Sequence, residues 1–136
     1  MNKRMKVTIF ATCALLICLN ATSVFAVNVF STAWVDLGVT NWVTGGSQVL
    51  NNLGLSGTVA SGANSIGLNT QTLRGEMWTK GCCFDVQRSF TEVAPKASAN
   101  MPAWGNPNQE TGTFYAKGRA QFGNHVGFSQ VSQAGH

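Results

Sequence analysis

The sequence predicts an all-β protein, a small antiparallel β-sandwich, from three features. Residues 111–124 read T-G-T-F-Y-A-K-G-R-A-Q-F-G-N, with Phe114, Ala116, Gly118, Ala120 and Phe122 on one parity. Thr113, Tyr115, Lys117, Arg119 and Gln121 fall on the other. Successive strand side chains point to opposite faces, so this is a strand with one packed and one wet face, taken as the central strand. The small residues between the two phenylalanines leave room for side chains of a facing layer. Residues 27–39 alternate in the same way, with Val27, Val29, Ser31, Ala33, Val35, Leu37 and Val39 on the inward parity. Glycine-rich turns join the short alternating segments, the pattern of a sandwich.

The chain opens with M-N-K-R-M-K, runs apolar to Leu19 and reaches Ser23-Val24-Phe25-Ala26. A basic start, a short apolar stretch and small residues at the recognition positions predict a signal peptide over 1–26, cleaved after Ala26, with a compact bacterial layout. The apolar run is short of the roughly 20 residues a spanning helix needs. Residues 27–136 then form the single secreted domain, with no transmembrane span expected in it. Losing Lys3, Arg4 and Lys6 leaves six basic residues against five acidic, a balance of +1. Nucleic acid is therefore not an expected partner, since it calls for a basic patch or stripe.

The segment 40–69 carries no charge. Val49, Leu50 and Leu53 have helical spacing behind a capping Ser47, but flanking glycines favour a loop or short helical turn, then a strand near 55–60. An uncharged polar surface suits hydrogen bonding to a neutral polymer or another subunit, and equally a plain glycine-rich connection. Leu73, Gly75, Met77 and Thr79 alternate with Arg74, Glu76, Trp78 and Lys80. That strand, a turn or bulge at Gly81 and a strand over 84–93 make a hairpin with the cysteines at its bend. Pro95, Pro102 and Pro107 mark 95–108 as a long loop. In it Trp104 is either an anchor folded back on the core or an exposed contact residue. Gly123-Asn124-His125 is a turn, and 126–131 is expected to pair antiparallel with the central strand.

Cys82 and Cys83 are adjacent, which narrows their chemistry. Neighbouring Cα atoms lie about 3.8 Å apart, whereas ordinary disulfides span about 4.4–6.8 Å. Three readings stay open: a strained vicinal disulfide, links between subunits, or two reduced thiols. A zinc site usually needs four ligands, commonly in spaced pairs, so no metal is expected.

Catalytic constellations are scarce. Cys83 with His125 is a thiol–imidazole candidate only if the fold joins them, and Glu76, Glu92 and Glu110 are candidates for a carboxylate pair. There is no G-x-S-x-G elbow, phosphate loop, H-E-x-x-H or dinucleotide fingerprint, so neither enzyme activity nor a cofactor is expected. The best binding candidate is the wet face of the central strand. Tyr115, Lys117, Arg119 and Gln121 stand about 7 Å apart and combine an aromatic ring with cationic and amide donors, suited to sugar rings and phosphates.

The stretch Tyr115-Ala116-Lys117-Gly118-Arg119-Ala120, followed by Gly123, resembles a strand of the lactococcin 972-type bacteriocins, small secreted β-sandwich proteins. The similarity covers about a tenth of residues 27–136. The chain lacks that family's His- and Tyr-rich early segment and aromatic C-terminal end. The resemblance implies an exported antibacterial protein that engages a cell-wall precursor without turnover, and it carries over no functional residue. The expected function is thus a secreted binding protein at a bacterial envelope, its partner an envelope component. A self-associating structural subunit of a surface layer, fibre or spore coat is the alternative, and a small secreted hydrolase the third.

Overall fold

The computed structural model describes residues 29–133. The expected signal peptide, residues 1–26, lies outside them. Nine strands follow in order: β1 (Phe30–Val35), β2 (Val43–Thr44), β3 (Gln48–Asn51), β4 (Leu55–Ser61), β5 (Leu73–Lys80), β6 (Asp85–Val93), β7 (Ser98–Trp104), β8 (Thr111–Ala120) and β9 (Gly127–Gln133). They form two antiparallel sheets, one ordered β1-β9-β4-β7 and the other β2-β8-β5-β6, with β3 also on β8. The fold is an all-β sandwich.

The strand over 111–120 is central, paired with β5 on one side and with β2 and β3 on the other. Its inward parity buries Phe114, Ala116, Gly118 and Ala120, as the alternation requires. The small residues do what their size suggests: a Cβ on Gly118 would lie 3.0 Å from Val35 Cγ2 of the facing sheet. Leu73 and Met77 of β5 and Phe114 of β8 meet Val35, Leu55, Val59 and Val131 in one core. Each such large side chain contributes about 1.5–3 kcal/mol by leaving water.

Four expectations are corrected. The first strand ends at Val35, because Gly38 at φ +89° turns the chain and leaves Leu37 55% exposed. The 48–51 segment is strand, burying Leu50 and exposing Val49, so the helical spacing there is coincidental. The loop over 95–108 is interrupted by β7, an edge strand on β4. Pro102 fits because the register jumps between Gly57↔Met101 and Leu55↔Trp104, a bulge where no ladder donor is needed. Finally, β9 pairs with β1 and β4 rather than with β8. Alternation specifies which face a side chain takes, not which strand lies alongside.

Candidate functional site

The outer face of the five-stranded sheet is built in cross-strand rows. Arg119 of β8 lies opposite Arg74 of β5, which lies opposite Glu92 of β6. The next row is Lys117, Glu76 and Phe90, and the next begins with Tyr115 and Trp78. Trp42, just before β2, adds an indole beside Arg119, with the guanidinium carbon 5.7 Å from a ring centroid. Alternation on three strands brings cations and aromatic rings onto one surface. Lys117 Nζ sits 4.2 Å from the Trp78 ring, and the Arg74 guanidinium carbon 3.8 Å from the Phe90 ring. Such contacts hold long cationic side chains down on the sheet.

The charges on this face are unequally spent. Arg74 donates to the buried Glu76 at 2.8 Å and to Glu92 at 3.3 Å, and the Trp78 indole N–H donates to Glu76 at 2.7 Å. Arg119 has no carboxylate within salt-bridge distance among the described residues. Two guanidiniums directly opposite would repel, and committing Arg74 to two carboxylates relieves this. The positive charge left over belongs to Arg119. It borders a cleft of about 340 Å³ lined by Trp42, Arg74, Glu92, Arg119 and Gln121 together with Thr70 and Thr72. An indole wall beside an uncommitted guanidinium suits a ligand with a ring and a negative charge.

Of the predicted ligand-binding residues, Lys117, Arg119 and Gln121 do share this face. Gln121 also ties the floor of the cleft: its N–H donates to Thr72 O at 2.9 Å, and its amide oxygen accepts from Thr72 N at 3.3 Å. Tyr115 is not wet. It stacks on Trp78 with centroids 6.4 Å apart, donates its hydroxyl to Asp85, and is only 4% exposed. Burial and the Asp85 carboxylate push its phenol well above the usual range. Trp104 lies elsewhere, at the end of β7, packed on the core with Arg88 4.4 Å from its ring. Sequence reasoning missed Trp42, which has no periodic context. It also missed that Arg74 and Glu92 meet Arg119, although the alternation of 73–80 had already placed Arg74 off the core.

Cys82 and Cys83 occupy the exposed β5–β6 turn as free thiols, their sulfurs 3.0 Å apart. The hydrogen bond from Cys82 raises the Cys83 thiol above its ordinary range. His125 lies at the opposite end of the sheet, since Lys80 pairs with Thr113 and Leu73 with Ala120. That is roughly 20 Å away at strand spacing, so the two form no catalytic pair. His125 is fully buried, its Nδ1 2.8 Å from Ser61 Oγ. The Ser61 hydroxyl donates to Ser65 Oγ at 2.8 Å, so its proton is already committed and His125 Nδ1–H is the donor to Ser61 Oγ. Glu76 and Glu92 are both bound by Arg74, and Glu110 pairs with Arg88. Among the described residues no group of three His, Cys, Asp or Glu side chains could hold a metal.

No protein-family model matches the chain. No curated protein matches it either. Among solved structures, the chain is similar to one from the top component of cowpea mosaic virus, its naturally occurring empty particles. That similarity covers 79% of this chain and 78% of the viral one, at 8% identity and a TM-score of 0.37.

Proposed function

We propose that this is an exported, non-catalytic binding protein acting at a bacterial cell envelope, with the outer face of the five-stranded sheet as its ligand surface. Its most concrete form is a bacteriocin that engages a cell-wall precursor. The observation that carries the reading is the cleft in which Arg119, uncommitted to any carboxylate, stands beside Trp42. A saccharide ring on the indole and a phosphate or carboxylate on the guanidinium would use both. Purified residues 27–136 should bind phosphate-bearing cell-wall glycan fragments in a titration. Arg119→Gln should weaken that binding about tenfold, the scale of one charge-assisted hydrogen bond. Failure to bind any such fragment, or equal binding by Arg119→Gln, would sink the reading.

A second reading, a self-associating structural subunit, is favoured by one observation. Cys82, Cys83 and the exposed Phe84 crowd the tip of the β5–β6 hairpin. Solution size with and without reductant separates the two, since a thiol-linked polymer collapses to monomer on reduction.

A further inference from the structure

The end of the sandwich that carries the Arg119 cleft also displays a cluster of exposed apolar side chains. Leu37 comes from the β1–β2 loop, Ile66 and Leu68 from the β4–β5 loop, and Phe122 from the β8–β9 loop, at 55%, 62%, 72% and 52% exposure. These loops are bound to one another. Gly38 N–H donates to Gly123 O at 2.8 Å, and Ile66 N–H to Asn124 O at 2.8 Å. The Asn124 amide donates to Gln71 Oε1 at 3.0 Å. Gly67, at φ +141°, sits between Ile66 and Leu68 where a Cβ would lie 1.7 Å from Gln71 Oε1. The two apolar side chains are therefore presented on an ordered loop that only glycine permits.

We infer that this end docks on a lipid bilayer, with Leu37, Ile66, Leu68 and Phe122 entering the interfacial region. The inference goes beyond the proposed ligand surface and does not depend on which envelope component the cleft takes. Two features favour a bilayer over a protein partner. The β6–β7 loop lies at the same end, since Val93 pairs with Leu73; with it the four loops carry only Asp36 and Lys96 as charged residues, and these cancel. The buried His125 does not reach the surface. Moreover, the polarity is layered along the strand direction. Arg119 lies on β8, three residues before Phe122 and at most about 10 Å behind it, with Trp42 beside it. Apolar side chains in front, then an indole and a guanidinium at headgroup depth, match the layering of a membrane interface. Anionic headgroups would add attraction through Arg119.

The test is co-sedimentation of purified residues 27–136 with vesicles of phosphatidylcholine alone and of phosphatidylcholine with phosphatidylglycerol. The chain should sediment with both and more strongly with the second. The Ile66→Ser/Leu68→Ser double variant should lose about tenfold or more in partitioning to both, since each side chain gives up its apolar transfer. Its urea midpoint should stay unchanged, because both side chains are already exposed in the fold. Arg119→Gln should lose only the preference for the anionic vesicles. Absence of sedimentation with either vesicle, or equal partitioning by the double variant, overturns the inference. So does a dimer that the double variant abolishes without any lipid binding, which would mark a protein contact. Binding of wall fragments measured without lipid reports on the ligand surface separately, so either idea can fail alone.

Discussion

Ser31, on the inner face of β1, accepts a hydrogen bond at 2.8 Å from the backbone N–H of Ala116 in the facing sheet. The bond exists because the strand beside β8 is broken. Between β2 and β3, Gly45 N–H reaches Ala116 O at 2.8 Å, while the Ala116 N–H turns to Ser31. A Cβ on Gly45 would lie 2.6 Å from Ser31 Oγ and 2.8 Å from the Thr32 backbone, so β1 crosses directly over the gap. One serine thereby satisfies a buried donor of the central strand from the opposite layer. Ser31→Ala should strand that donor and cost about 1–3 kcal/mol of stability in urea denaturation.

Arg74 neutralises a buried carboxylate, and this makes its replacement asymmetric. Arg74→Met leaves Glu76 with the Trp78 indole as its remaining hydrogen-bond partner. Because Arg74 is itself partly exposed, the loss should be on the order of 2 kcal/mol, below the range for a fully buried pair. Combining Arg74→Met with Glu76→Leu should recover most of it. A double-mutant cycle in urea measures the coupling.

Burial holds the His125 imidazole below its ordinary pKa. The unfolded chain then binds the proton more readily than the folded one, so stability rises with pH across the interval from the lowered value to about 6.5. Above that interval the contribution is complete; as pH falls through it, stability is lost. His125→Asn should flatten this dependence below about pH 6.5, read from urea midpoints at a series of pH values.

The two sheets approach closely at Gly75. A Cβ there would lie 2.1 Å from Val59 Cγ2 and 2.7 Å from Ser129 Oγ, so Gly75→Ala should cost about 1–3 kcal/mol by overpacking. Gly81→Ala meets nothing within 4 Å and should leave the thermal midpoint in place.

The parts of the fold legible in the sequence are those where the two parities of a segment differ in chemistry. Residues 111–120 and 73–80 show this, and both strands stand where alternation predicts them. The strand over 98–104 was hidden because Pro102 and the exposed Ala103 break the pattern, and only a bulge against β4 makes room for that proline. Phe122 follows the inward parity in sequence, yet it lies past the end of β8 and is exposed. Periodicity does not say where a strand stops.

The candidate site divides the same way. The outward parity of Lys117 and Arg119 was readable from ten residues of sequence. The burial of Tyr115 was not, because it comes from Trp78 and Asp85 on two other strands.

By itself the sequence determined that the protein is all-β, which segment lies at its centre and which side of that strand faces solvent. These follow from local alternation, since each residue's direction is set by its neighbours in the chain. Only the tertiary structure decided that β9 joins the opposite sheet, that Glu76 and Glu92 occupy Arg74 and leave Arg119 uncommitted, and that Trp42 stands beside it. The last of these joins residues 77 positions apart, Trp42 and Arg119. These relations are fixed by strand register, which alternation within one segment does not encode.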